Sequence, residues 1–272
     1  MRVQPSYEDM VAMTPLNPFD RFPDGRPRVP DDILKRLSTA TTEEAWGVMW
    51  EQGYMRQFEG NWKETHPGRI TVGRAVTAQF IPHRADYHDA VQKASLAEGR
   101  GARGGQNSWI IETLQEGDVM VVDIFGKIIG GTVIGDNLGT AVATRTKAGA
   151  VIDGGIRDYQ GIMQLSDVNV YMRGVDPTGI SDVTLAGLNI PIRIGYATCL
   201  PGDVVLGSPT GVLFIPPHLA ADVADKAEAT ATRDRFGKGR IAAGIYTSGE
   251  IDSAWRDDIV ADFEKWRKEE KR

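Results

Sequence analysis

Apolar and polar positions along this chain follow two rhythms, and the changes between them mark its elements. Apolar runs rich in β-branched residues predict buried strands at 70–81 (ITVGRAVTAQFI), 118–125 (DVMVVDIF), 149–153 (GAVID) and 168–173. Segments with helical spacing separate them, at 86–97, 137–148 and about 158–165. Such alternation argues for a buried sheet covered by helices, an α/β sandwich-like domain. From residue 180 the spacing shortens, with strands predicted at 190–194, 197–200, 203–207 and 211–215. Turns at Pro201-Gly202 and Ser208-Pro209-Thr210-Gly211 break these strands, which suits antiparallel or mixed pairing. Helices at about 217–235 and 252–270 close the chain. In the second, Trp255, Ile259, Phe263 and Trp266 share one stripe, read as a packing or subunit-contact face.

The first thirty residues have neither rhythm. Pro5, Pro15, Pro18, Pro23, Pro27 and Pro30 forbid long helices there and predict an extended arm. Its apolar residues Met10, Val11, Met13, Phe19 and Phe22 suit packing on this subunit or on a neighbour; the alternative is a loosely ordered tail. Helix signals follow, with Asp31 and Asp32 ahead of Ile33, Leu34 and Leu37, and a Thr41–Glu44 capping box. Gly99, Gly101, Gly104 and Gly105 predict a flexible Gly/Arg loop after the 86–97 helix. The expected division is an arm over 1–30, an α/β domain over 31–249 and an amphipathic helix over 250–272.

Composition narrows the class. A chain of 272 residues with 41% hydrophobic and 25% charged residues can bury one substantial core. A net charge of −6 argues against a nucleic-acid binder held by phosphate contacts. Cys199 is the single cysteine, so no intramolecular disulfide or cysteine-rich zinc site is expected, and it reads as a small core residue. The first residues lack the apolar core of a secretory signal, and no apolar stretch nears the ~20 residues of a membrane span. The expected location is therefore cytoplasmic, with no membrane partner. His66, His83, His88 and His218 form no i,i+3 or i,i+4 pair and read as packing or surface residues. Gly130-Gly131 and Gly154-Gly155 do not make the G-x-G-x-x-G dinucleotide fingerprint.

Candidate chemistry concentrates in residues 135–158, GDNLGTAVATRTKAGAVIDGGIRD. Asp136 precedes a predicted helix, where a carboxylate caps free N–H groups and favours the positive end of the dipole. Asn137, Leu138 and Gly139 would present backbone N–H groups to the same mouth, with Gly135 as a further substrate contact, and such a helix start can hold a substrate carboxylate or phosphate. Twenty residues later, strand 149–153 runs into Asp153-Gly154-Gly155 and then Arg157-Asp158. Ligands of α/β sheets gather at the carboxyl ends of strands, so Asp136 and the Arg157–Asp158 pair are expected to meet there. Two carboxylates and a guanidinium can hold a hydrated divalent cation beside an anionic substrate.

This spacing of Asp, twenty residues and Arg-Asp resembles the signature of the family of 4-hydroxy-4-methyl-2-oxoglutarate aldolase and the regulator of ribonuclease activity A. The blocks PGRITVGRAVT (67–77), EGDVMVVD (116–123), GDNLGTA (135–141), GAVIDGGIRD (149–158) and PGDVVLGSPTGVLFIP (201–216) resemble the family's blocks in the same order. The resemblance implies an α/β/α sandwich-like fold with a mixed sheet, assembled as a homotrimer or homohexamer with sites between subunits. It implies Asp158 as the ligand of Mg²⁺ or Mn²⁺, Asp136 as the residue that orients metal-bound water, and Arg157 as the group that stabilises an enolate oxygen. Backbone amides of Asn137 and Leu138 would hold the substrate carboxylate, with Asn107 as a further substrate contact from across an interface. The implied activity is a metal-dependent carbon–carbon lyase acting on a small 2-oxo acid, by aldol cleavage or decarboxylation. Two alternatives share the fold: a non-catalytic regulatory binding protein, and a hydratase or isomerase using the same metal. One departure bears on the choice. The aldolase signature has an acid three to five positions after its second Asp; here those positions hold Gly161, Ile162 and Met163, and the next acid is Asp167. Glu228 and Asp234 are candidates for an acid supplied by a neighbouring subunit.

Overall fold

A computed structural model describes residues 1–100 and 104–270. Residues 101–103 of the expected Gly/Arg loop, Gly101 among them, and residues 271–272 of the expected last helix lie outside the described residues. The chain opens with α1 (Tyr7–Met13), α2 (Asp31–Leu37), α3 (Thr42–Glu51), β1 (Phe58–Glu59) and β2 (Lys63–Glu64). The α/β part follows: β3 (Thr71–Pro82), α4 (Ala85–Ala97), α5 (Gln106–Thr113), β4 (Asp118–Asp123), α6 (Asp136–Thr146), β5 (Gly149–Ile156), α7 (Tyr159–Ile162) and β6 (Asn169–Val175). Then come β7 (Val183–Leu188), β8 (Ile192–Ile194), β9 (Ala197–Cys199), β10 (Val204–Ser208) and β11 (Gly211–Ile215). A 3-10 turn (Pro217–Leu219), α8 (Ala220–Ala242), α9 (Ser248–Ile251) and α10 (Asp257–Glu270) complete it.

The fold is a mixed α/β domain around one nine-stranded sheet, in the order β1-β11-β10-β3-β4-β5-β6-β2. β3, β4, β5 and β6 run parallel, joined by helical crossovers, whereas β10 and β11 add antiparallel strands beside β3. β3 is long enough to serve two neighbours. Its first half pairs with β10 and its second half with β7, with a register shift between Gln79 and Phe80. The 183–188 strand and α5 were not expected from the sequence pattern. The first is held by its pairing with β3, a long-range contact that local spacing does not encode.

Alternate residues of each central strand enter different cores, which is why these strands read as continuous apolar runs. Met120, Val122, Ala150 and Ile152 pack with Trp109, Ile110, Val142 and Ile162 of the helices. Val119, Val121, Val151 and Tyr171 face the small β8–β9 hairpin, where Cys199 is fully buried. A third cluster lies over β10 and β11, against α2, α3 and α8.

The 1–30 segment is not wholly extended. Ser6 and Asp9 make a capping box that starts α1, and Val3, Met10, Phe22 and Val29 are buried. Arg26 ties this segment to the sheet: its guanidinium, 1% exposed, bonds Asp118 at 3.1 Å and Asp24 at 2.8 Å. At the other end, Trp255, Phe263 and Trp266 surround Phe236 of α8, with ring centroids 5.3 to 5.6 Å from it. Trp255 thus lies ahead of α10, which starts at Asp257 and not near 252 as expected, and the three aromatic residues pack on α8 while staying half-buried. No helix among the described residues is long and apolar enough to cross a membrane.

Candidate functional site

The carboxyl ends of β4 and β5 carry the site. After β4, residues 131–134 run alongside the end of β5: Val133 N donates to Gly155 O at 3.0 Å, and Arg157 N donates to Ile134 O at 3.0 Å. This pairing delivers Gly135 to the Arg157–Asp158 pair. A methyl group built on Gly135 would lie 2.3 Å from Asp158 Oδ2 and 3.0 Å from Arg157 Nε, so only glycine fits without a shift. Its φ of −113° is ordinary, and the demand is purely for space.

Asp136 follows as the first residue of α6, with Gly135 as the N-cap, one position later than the capping role expected of Asp136. Its Oδ1 accepts Asn137 N–H at 2.8 Å. Of the two amides expected to hold a substrate carboxylate, Asn137 N–H therefore already has an acceptor, and Leu138 N–H has none described. On its other side Asp136 meets α7, where a Cβ on Gly161 would come within 2.8 Å of Asp136 Cβ. Asp158 takes a left-handed backbone, φ 52° and ψ 39°, at the start of α7. Its carbonyl accepts Gly161 N–H and Ile162 N–H, so the turn is closed by backbone and its carboxylate stays free for other work. That carboxylate lies 3.6 Å from Arg157 Nε, and both side chains are nearly half exposed. Asp136, Arg157, Asp158, Gly135 and Leu138 are thus brought to one mouth at the sheet's carboxyl end.

The family resemblance of the ordered blocks is shown by similarity to known proteins. A model of the RraA-like family, described as Aldolase/RraA, matches residues 37–214, well over half of the chain. The chain belongs to the RraA-like family. It is 30% identical over 127 residues to a protein of Halalkalibacterium halodurans named "Putative 4-hydroxy-4-methyl-2-oxoglutarate aldolase", covering 46% of this chain and 60% of that protein. It is 31% identical over 134 residues to a protein of the same name from Ectopseudomonas mendocina, covering 45% of this chain and 82% of that one. The match thus spans less than two thirds of the first relative's own length. Among solved structures, Streptomyces coelicolor RraAS2, described as an unusual member of the RNase ES inhibitor RraA protein family, superposes with a TM-score of 0.65 at 26% identity. That superposition covers 81% of this chain and 99% of RraAS2.

In this RraA-like chain the donor set at the mouth is two carboxylates, and no group of three or more His, Cys, Asp or Glu suited to a metal occurs among the described residues. Such a set fits a hard divalent cation that keeps most of its water shell. Packing excludes an acid at two of the three positions after Asp158, because a side chain at 161 would strike Asp136 and Ile162 is buried, whereas Met163 is exposed and sterics do not account for it.

Other expected residues fall elsewhere. Asn107, expected as a contact across an interface, lies on α5 and donates to Val133 O of its own chain at 2.7 Å. It thereby holds the loop that carries Gly135. Glu228 accepts Arg36 Nε at 2.7 Å and Asp234 pairs with Lys238, both on α8 within this chain. The Arg36 guanidinium holds the Glu228 carboxyl below the usual carboxylate range. Sequence spacing also kept the histidines apart, yet the His83 and His88 rings lie tilted against each other with centroids 5.0 Å apart and share the Thr184 hydroxyl. The left-handed turn at Asp158 and the role of Gly161 were not foreseen. The glycine content of 154–161 was the available signal.

Proposed function

We propose that the Asp136–Arg157–Asp158 site cleaves a carbon–carbon bond of a small 2-oxo acid, by aldol cleavage or decarboxylation, with Mg²⁺ or Mn²⁺. The observation that supports this reading is the packing of the Arg157–Asp158 pair so close to Gly135 that no Cβ fits there, which sets the pair beside Asp136 at the start of α6. Asp158 would hold the cation, with Asp136 accepting from its waters. The cation supplies Lewis-acid stabilisation of the charge that develops on the 2-oxo oxygen. Arg157 donates to the same oxygen, and the free Leu138 N–H at the helix start orients the substrate carboxylate. In either reaction the electron pair of the broken bond passes into the enolate of pyruvate. The departing fragment is an aldehyde or ketone in aldol cleavage, once its hydroxyl proton is removed, and CO₂ in decarboxylation. Protonation of the enolate carbon completes the cycle. Because both charged side chains are nearly half exposed in a single chain, a neighbouring subunit in a homotrimer or homohexamer is proposed to close the mouth.

Two observations favour second readings. The likeness to RraAS2 over nearly all of that protein's length supports a binding protein of this fold that acts by contact. Gly161 in place of an acid leaves a different enolate reaction, hydration or isomerisation, in contention. The test is release of pyruvate by the full chain from oxaloacetate and from a 4-hydroxy-2-oxo acid, with Mg²⁺ or Mn²⁺. The expected result is turnover that EDTA abolishes and that Asp158→Ala lowers at least about a hundredfold, with weaker metal binding. Turnover unchanged by EDTA or by that substitution sinks the metal mechanism. Absence of pyruvate from every 2-oxo acid tried moves the case to the binding-protein reading.

A further inference from the structure

At the other end of the sheet, beside the start of β3, lies a cavity of about 280 Å³ that shares no residue with the Asp136 site. The loop after α1, the β9–β10 turn and the 3-10 turn enclose it. Met13, Pro15, Leu200, Pro216 and Pro217 give it apolar walls. Met13, Pro15, Pro216 and Pro217 lie outside the 37–214 stretch that matches the family, whereas Leu200 and Asp203 lie within it.

Asp203 is the acid of its lining. It is 3% exposed and lines the cavity, and one carboxyl oxygen accepts Leu200 N–H at 2.8 Å to close the Pro201-Gly202 turn. No hydrogen bond or ion pair among the described residues engages the other oxygen. That oxygen is not sealed away from solvent, so an incoming donor can reach it from the cavity. Burial pushes this carboxyl up to about 7, whereas burial pushes the nearby His218 imidazole down. The His218 Nε2 is moreover shared with Tyr54 OH at 3.2 Å, so no cation of the chain stands in the cavity to neutralise Asp203.

We propose that this cavity is a second ligand site, which takes a small primary amine with a hydrocarbon body and seats its ammonium on the free oxygen of Asp203. The apolar walls accept the hydrocarbon body, and the ammonium supplies the charge-assisted hydrogen bond that the buried carboxylate lacks. The site is independent of the lyase reading.

The experiment uses the full chain at pH 8 and benzylamine as probe, with binding followed by calorimetry. Saturable binding of one benzylamine per chain is expected, with benzyl alcohol at least tenfold weaker on the same protein. Asp203→Asn keeps an acceptor for Leu200 N–H and should weaken benzylamine at least tenfold, and Met13→Trp, which fills the cavity, should abolish binding. Asp158→Ala should leave the benzylamine affinity unchanged, so failure at the Asp136 site and failure here are told apart. Absence of saturable binding overturns the proposal. So does equal affinity for amine and alcohol, or loss of binding on Asp158→Ala.

Discussion

At the scale of single residues, Gly135 and Asp203 show how space and solvation act at opposite ends of the sheet. Gly135→Ala places a methyl 2.3 Å from Asp158 Oδ2, a distance that forces the carboxylate or its loop to move. A shift of about 1 Å at reacting groups can cost about a hundredfold in rate, so turnover in the proposed carbon–carbon cleavage should fall by about ten- to a hundredfold. Stability, read from urea curves, should change little, because Asp158 is nearly half exposed and can turn toward solvent. A Gly135→Ala protein with full kcat would show that the contact is not part of the site. Asp203 makes a pH prediction with a definite sign. Its folded-state carboxyl titrates near 7, above the ordinary 3.8, so its stabilising contribution is complete below about 4 and is lost as pH rises to about 7. Asp203→Asn should remove that loss, and the difference in unfolding free energy between variant and wild type should move in the variant's favour from pH 4 to pH 8. A difference that stays flat over that range would show that Asp203 ionises freely in the folded chain.

At the scale of elements, the first thirty residues illustrate what a proline-rich segment can become. Its prolines limit helix length, and the structure keeps that limit with a seven-residue α1. What holds it in place is the buried Arg26–Asp118 pair, joining residues 92 apart in the chain. Burial raises the Asp118 carboxyl, and Arg26 offsets part of that rise. Removal of one partner leaves the other charge buried, so Arg26→Ala should cost about 3–5 kcal/mol in urea unfolding. A cost below about 1 kcal/mol would mean that Asp118 finds water or simply takes up a proton. The α5 and β7 elements teach a related lesson. Gln106 of α5 donates no cap of its own helix, but its Oε1 accepts Leu185 N–H of β7 at 2.7 Å, so each element helps fix the other. Neither has a local pattern strong enough to read, and both are decided by contacts across the fold.

At the scale of the whole molecule, the site is open on one side, and the proposed assembly has a direct measurement. Analytical ultracentrifugation should give a trimer or hexamer, and turnover should fall on dilution below the dissociation range. A monomer with full turnover would place every catalytic group within one chain.

The sequence alone determined the layered α/β plan, the strands at 118–125 and 149–153, and the family blocks that bracket Asp136, Arg157 and Asp158. These follow from local periodicity and from the spacing of a few residue types, which the linear chain carries in full. Only the tertiary structure decided that Gly135 rests against the Arg157–Asp158 pair, that Gly161 leaves no room for an acid beside Asp136, and that Asn107 is spent on its own loop. It alone also placed Asp203 in a cavity with one oxygen unpartnered. The reason is physical: distances between side chains far apart in sequence, and the solvation of a buried charge, depend on how the layers pack, and packing is a property of the whole chain.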